Sequence, residues 1–404
     1  METQRIGLMG GSFNPIHQAH ILMARMAMRE AALDKVLFIP TGNPPHKREG
    51  LAQAAQRMCM VRMALARETA LIPSDIEMNR NGMVYTVDTL MMLKNQMPNA
   101  LFYYIIGEDT LYDLIHWRSP EKVFQMCRFL VCPRPGTAQG VDVPAVTSEL
   151  KRLGADYSYL SGEAGDISST AIRRRLQNGE EPEGILPAVM EYIRVMGLFG
   201  VTASPAGFAA QMDKLSSSMG LKRFVHTLCV AYAARRLARL HGEDEEKAAL
   251  AGLLHDCAKG MDLGRMQEYI KKLGIKVDKD IFSSGALLHA VAGAQAARLE
   301  YGVRDQAVLS AIENHTLGSV PMSRLDMIVC LADKIEPDRE NYPGLDEVRR
   351  LAQTDLADAL LLSFDRTESY VKEQGNAPHP ATARTVHWLR SLKNKGIDTK
   401  EETV

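Results

Sequence analysis

Gly10, Gly11 and Ser12 join a short apolar run, RIGLMG, to a helical stretch that holds His20 in its first turn, with His17 just before it. Glycines let backbone amides approach a phosphate chain, and a helix N-terminus adds partial positive charge at the same spot. Two imidazoles placed there can donate hydrogen bonds to phosphate oxygens as charge builds on them. Taken alone, the glycine pair favours a tight strand-to-helix turn with ordinary surface histidines. No Walker lysine follows, which excludes a P-loop. Far downstream, DISSTAIRRRL sets Ser168, Ser169 and Thr170 before a helix carrying Arg173, Arg174 and Arg175. Such hydroxyls are common helix caps and such arginines are usually solvated, but together they form an anion site.

Three further segments offer groups that can hold a second substrate. TGNPPHK presents His46 and Lys47 on a loop stiffened by two prolines, GMVYTVDTL offers Tyr85 and Thr86 ahead of a helix, and IIGEDTLYDLIHW offers Gly107, Asp109 and Trp117. Each also reads as a rigid turn, a helix cap or a buried indole. In the second half, His226, His255, Asp256, His289, His315 and Asp333 stand mostly in apolar company. One histidine on such a face is usually a satisfied core residue. Four, with two aspartates, are hard to hide in a helical core without a metal, because each buried polar group needs a partner. Imidazole and carboxylate suit iron, manganese or zinc, and facing helices can supply them. Lys259, after HDCA, suits a substrate phosphate or the dipole of a helix end.

These groups need elements to carry them. Up to about residue 200, apolar runs (RIGLMG, KVLFIP, LIPSDIEM, ALFYYIIG, RFLVCP, YSYL) alternate with helical stretches such as 19–32. That alternation predicts a parallel α/β sheet with helices on both faces and ligands beyond the C-terminal strand ends. After GVTASPAGF the apolar residues fall only at helical spacing, which predicts an all-α second domain. The expected organisation is a first domain over 1–200, a linker over 201–212, a helical domain over 213–393 and a polar tail over 394–404. With 404 residues, 46% apolar and 24% charged, two globular domains are expected. A net charge of −1 leaves no basic face for nucleic acid. No stretch is apolar for long enough to span a bilayer, so no membrane partner is expected. The opening METQRIGLMGG lacks the features of a secretory signal, and six scattered cysteines form no disulfide or thiolate-zinc framework; both argue for the cytosol. A homo-oligomer is compatible with the sequence.

The string GSFNPIHQAH resembles the GSFNPIHxGH signature of the nucleotidyltransferase superfamily that includes nicotinate mononucleotide adenylyltransferases, with Ala19 where that family usually has glycine. DISSTAIRRRL is similar to its ISSTxIR motif. The resemblance implies a Rossmann-like fold in which Gly10, Gly11, Ser12, Phe13, Gly107, Asp109, Ser168, Ser169 and Thr170 line ATP. It also makes His17, His20, Lys47 and Arg173 the electrostatic contributors, with magnesium on the triphosphate. PPHK resembles the branch in which that motif meets the acceptor phosphate, which assigns His46 and Lys47 to phosphate, Tyr85 and Thr86 to the pyridine carboxylate and Trp117 to the ring. The implied reaction is adenylyl transfer from ATP to nicotinate mononucleotide. A pantetheine phosphate adenylyltransferase is the alternative, against which PPHK and Trp117 count.

The order His, His-Asp, His, His, Asp resembles the HD phosphohydrolase superfamily. That resemblance implies one metal at His226, His255, Asp256 and Asp333, and a second reached by His289 and His315, with iron or manganese ahead of zinc. LLHDCAKG, HTLG and LADKIEPDR look like the branch that splits diadenosine tetraphosphate symmetrically into two ADP. Hydrolysis of another nucleotide, or a non-catalytic regulatory role, stays open.

Overall fold

The computed structural model describes residues 3–42, 50–66, 68–78, 82–134, 138–201, 208–340, 342–373, 375 and 377–394. The chain divides into two compact units, Met1–Ala203 and Ser204–Val404.

The first unit runs β1 (Arg5–Gly11), α1 (Gln18–Glu30), β2 (Lys35–Pro40), α2 (Ala54–Leu65), β3 (Leu71–Pro73), α3 (Thr86–Gln96), β4 (Leu101–Gly107), α4 (Glu108–Asp113), α5 (Pro120–Met126), β5 (Cys127–Cys132), α6 (Val143–Arg152), β6 (Tyr157–Tyr159), α7 (Ser169–Gln177) and α8 (Pro187–Met196). All six strands are parallel, in the order β3-β2-β1-β4-β5-β6. Helices cover both faces, so strand interiors such as Ile6, Leu8, Phe38, Phe102 and Phe129 are nearly or fully buried. This double burial explains why the strands read as unbroken apolar runs. Strand order reverses between β1 and β4, and the crevice at such a switch point is where open α/β sheets bind ligands. The strand ends there are Gly10–Gly11 and Gly107.

The second unit runs α9 (Ala209–Ser218), α10 (Leu221–His241), α11 (Glu245–Leu254), α12 (Leu263–Lys272), α13 (Lys279–Phe282), α14 (Gly285–Glu300), α15 (Gln306–Asn314), α16 (Arg324–Ile335), α17 (Leu345–Leu351), α18 (Leu356–Glu373) and α19 (Pro380–Asn394). Its described residues contain no strand. α10 packs on α11 and α16, and α15 on α11, α14 and α16. The α10–α11 approach requires Gly252, where a Cβ would lie 3.0 Å from the Ala231 Cα. No helix among the described residues is long and apolar enough to cross a membrane.

Candidate functional sites

The strand end of β1 and the N-terminus of α7 are fastened together although they lie far apart in the chain. Ser169 Oγ donates to the Pro15 carbonyl at 2.9 Å and Arg173 donates to the Asn14 carbonyl at 2.8 Å. The α7 helix begins at Ser169, so only Ser168 precedes it. Ser168 is the N-cap and accepts from the Ala171 N–H at 3.1 Å. Thr170 Oγ1 accepts from Arg173 at 3.3 Å. Of the three arginines only Arg173 turns toward the β1 loop, since Arg175 pairs with Glu180 and Arg174 is exposed. Ser12 and Gly11 are half-buried at the strand end. Phe13 follows in the left-handed region (φ +45°) and packs edge-on against His20 at 5.0 Å.

His17 is the N-cap of α1, and its backbone N–H donates to His20 Nδ1 at 3.2 Å. A nitrogen that accepts carries no proton, so His20 holds its proton on Nε2, as a donor. Burial, then the Arg134 guanidinium, hold His17 down at about 4. Burial, reinforced by His17 and Arg134, also holds His20 well below the usual imidazole range. Both rings are neutral donors at neutral pH. Ala19 is buried in the α1 interface.

The depressed His17 value has a stability consequence. Between about pH 6.5 and 4 the unfolded chain takes up a proton at this position and the folded chain does not. Stability from His17 is therefore complete above pH 6.5 and is lost as pH falls through 4, by on the order of 3 kcal/mol. His17→Gln is expected to flatten the fall in melting temperature across that window; an unchanged slope would contradict the assignment.

Across the switch point, Tyr104 on β4 points its hydroxyl at Gly10, where a Cβ would lie 2.1 Å from the oxygen, so only glycine fits. The same hydroxyl is hydrogen-bonded to Thr86, and the Tyr104 ring meets half-buried Trp117 edge-on at 5.7 Å. Tyr85 caps α3 with the Arg118 guanidinium 4.5 Å above its ring. Gly107 caps α4, and exposed Asp109 lies 3.8 Å from Arg134. His46 and Lys47 lie outside the described residues.

In the second unit, His226 on α10, His255 and Asp256 just after α11, His289 on α14, His315 just after α15 and Asp333 on α16 meet in one centre. His255 and His315 are C-caps whose Nδ1 donates into their own helix's last turn, to Gly252 O at 2.7 Å and Ile312 O at 2.6 Å. His289 Nδ1 faces Gly285 O at 3.3 Å. A carbonyl only accepts, so each Nδ1 keeps the proton and each Nε2 presents a lone pair inward, that of His315 also within 3.2 Å of the Thr316 hydroxyl. His289 Nε2 then lies 3.2 Å from both Asp256 Oδ1 and His315 Nε2. His255 Nε2 and Asp256 Oδ1 are buried without a hydrogen-bond partner.

Lone pairs converging at such distances repel unless a cation lies among them. Ligands bound at about 2.1 Å and near right angles stand about 3 Å apart, so the donor set fits divalent metal. Among the described residues, two groups have donor atoms close enough to share an ion: His226 with His255 and Asp333, and His255 with Asp256 and His315. Burial opposes the charged form of Asp256, and the Lys259 ammonium 3.0 Å away favours it.

Residues 8–175 match the cytidylyltransferase-like family and residues 223–338 the HD domain family. A Mycoplasma pneumoniae protein named "Probable nicotinate-nucleotide adenylyltransferase/Ap4A hydrolase" is 31% identical over 90% of this chain and 98% of its own length. The chain belongs to the nicotinate-nucleotide adenylyltransferase/Ap4A hydrolase family. A Gloeobacter violaceus "Probable nicotinate-nucleotide adenylyltransferase" is 39% identical over 50% of this chain and 98% of its own length. The crystal structure of a "predicted HD superfamily hydrolase involved in NAD metabolism" from Clostridium acetobutylicum, 39% identical, covers 46% of this chain and 99% of its own, with a TM-score of 0.45.

This member of the adenylyltransferase/Ap4A hydrolase family also carries site residues that sequence reasoning missed. Arg134, in the loop after β5, faces His17, His20 and Asp109. Tyr104 sat inside a run read only as strand. Glu336, 1% exposed, takes the Nδ1 of His226 at 3.1 Å, while His226 Nε2 faces Asp333 at 3.1 Å. Its position three residues after Asp333, in LADKIEPDR, was the available signal. Lys259, which the sequence itself marked for a substrate phosphate or a helix end, pairs with Asp256 at 3.0 Å. Removing a carboxylate that orients a metal-binding histidine typically costs about 10–100-fold in metal affinity. Glu336→Ala is expected to weaken divalent metal binding by that factor in chelator competition, and Glu336→Gln to recover part of it. Equal affinity in all three proteins would remove Glu336 from the centre.

Proposed function

We propose that the N-terminal unit transfers the adenylyl group of ATP to nicotinate mononucleotide, and that the C-terminal unit splits diadenosine tetraphosphate symmetrically into two ADP with iron or manganese. The first reading is carried by one juxtaposition at the switch point. The α7 anion site is fastened to Asn14 and Pro15, in the loop that leads into His17 and His20, while Gly10 at the start of that loop lies against Tyr104, whose hydroxyl is bonded to Thr86 and whose ring meets Trp117. An acceptor phosphate oxygen attacks the α-phosphorus of ATP in line, the bond to the bridging oxygen breaks, and pyrophosphate leaves. Positioning and charge stabilisation supply the catalysis. His17, His20, Arg134 and Arg173 face the developing charge, magnesium accompanies the triphosphate, and the aromatic pair receives the pyridine. The PPHK sequence, with His46 and Lys47, favours an acceptor with a terminal phosphate.

The second reading is carried by the inward-facing Nε2 atoms around Asp256. His226, His255, Asp256 and Asp333 would hold one ion, with His289 and His315 completing a second site through Asp256. Metals in such a pair supply a nucleophilic water and clamp the oxygens of a phosphoanhydride. Lys259 and Arg339, partly exposed beside Asp256 and Asp333, offset substrate charge. All six candidate ligands meet, which favours catalysis over a purely regulatory domain.

Incubating the full chain with ATP, magnesium and nicotinate mononucleotide, its amide or phosphopantetheine tests the first half. The specificity constant is expected to be largest for the first acceptor; preference for phosphopantetheine would overturn the reading. Diadenosine tetraphosphate with iron or manganese, handled anaerobically, is expected to yield only ADP; ATP plus AMP, or no hydrolysis, would overturn the second.

A further inference from the structure

Arg57 on α2 is 1% exposed, yet its guanidinium pairs with backbone carbonyls. Nε donates to Ala52 O at 3.1 Å, one terminal nitrogen to Ser12 O at 2.8 Å, and the other to Thr41 O at 2.5 Å and Gly42 O at 3.1 Å. Ser12 belongs to the phosphate-facing loop, while Thr41–Gly42 and Ala52 are the two stems of the segment containing His46 and Lys47. Asn14, 4% exposed, repeats the connection: its amide donates to Gly50 O and its oxygen accepts from the Ala52 N–H, both at 3.0 Å. Thr41 adds its N–H and hydroxyl, both to Gly11 O, at 2.9 and 3.1 Å.

We propose that Arg57, with Asn14 beside it, is a positioning residue that ties the ATP-facing loop to Thr41–Gly42 and to Gly50 and Ala52, the described residues that flank the acceptor-phosphate segment in the chain. This rests on the adenylyltransferase reading given above. A planar fork reaching carbonyls from three chain segments fixes their distances together, which a point-charge ammonium cannot reproduce. Neither side chain needs to touch substrate. ATP keeps His17, His20, Arg134 and Arg173, so loosening the spacing misaligns the attack rather than abolishing nucleotide binding. Misplacement by about 1 Å costs about 100-fold in rate.

The test is steady-state kinetics of the full chain carrying Arg57→Lys or Asn14→Ala, with ATP affinity measured separately by calorimetry. For both variants, kcat is expected to fall, by about 100-fold for Arg57→Lys, and the acceptor KM to rise, with ATP affinity within about threefold of wild type. A lower melting temperature with unchanged kcat and acceptor KM would reduce the pair to a structural role and overturn the proposal. So would loss of ATP binding in step with turnover. If Arg57→Lys does not fold, Asn14→Ala decides by the same split. A wild-type chain that transfers nothing to nicotinate mononucleotide would instead overturn the underlying reading.

Discussion

Asp256→Ala is expected to strip metal from the C-terminal unit and to abolish measurable hydrolysis of diadenosine tetraphosphate. The two oxygens of this carboxylate face different partners: Oδ1 lies 3.2 and 3.7 Å from the Nε2 atoms of His289 and His315, and Oδ2 lies 3.7 Å from that of His255. A carboxylate so placed can serve two ions. Its removal leaves each short of a ligand and their like charges uncompensated. Breaking a buried charge pairing costs about 3–5 kcal/mol, which raises a metal dissociation constant at least about 100-fold. The fold should survive, because Lys259 is 39% exposed and can turn to water. His289→Ala makes the contrast. It leaves the proposed ligands of the first ion in place, so about one metal should remain while hydrolysis is largely lost. Metal analysis of anaerobically purified protein, beside product analysis, reads both. Full metal content and full hydrolysis in Asp256→Ala would exclude the shared-carboxylate centre.

His20→Ala is expected to lower adenylyl-transfer turnover by about 100- to 1,000-fold, the loss of one preorganised donor to a developing anion. The His17 N–H bond to its Nδ1 presents the Nε2 proton outward before substrate arrives, so no reorganisation is needed during the reaction. The KM for nicotinate mononucleotide should move much less, because the acceptor is held across the switch point by other groups. Deleting the imidazole also removes an N-terminal hydrogen bond of α1, with a stability loss of about 1 kcal/mol. Turnover within a few-fold of wild type would remove His20 from the mechanism.

The parallel sheet was legible because β1, β2, β4 and β5 are buried on both faces and therefore read as continuous apolar runs between helical periods. The motif residues on local turns were legible for a related reason: His17 and His20 lie within one helix turn of each other, and Ser168 and Arg173 within two. The start of α7 was misplaced slightly, because serine and threonine serve equally before a helix and in its first turn. Arg57 was not legible, and Glu336 was marked only by its place three residues after Asp333. Their partners lie 45 residues away at Ser12 and 110 away at His226, and nothing local marks an arginine in a helix buried nearly all round as a carbonyl clamp. Tyr104 was hidden in an apolar run, since a strand pattern tells which face a side chain takes but not what its hydroxyl meets.

The six candidate metal ligands divide the matter most clearly. Residue types and apolar company by themselves singled out His226, His255, Asp256, His289, His315 and Asp333. Which nitrogen faces inward was decided only in three dimensions. A helix must end at His255 and again at His315 for their Nδ1 atoms to find last-turn carbonyls, and α10, α14 and α16 must pack around those ends before the Nε2 lone pairs and Asp256 meet. Proton placement on an imidazole follows from the partner on its far side, and that partner is set by packing rather than by spacing along the chain.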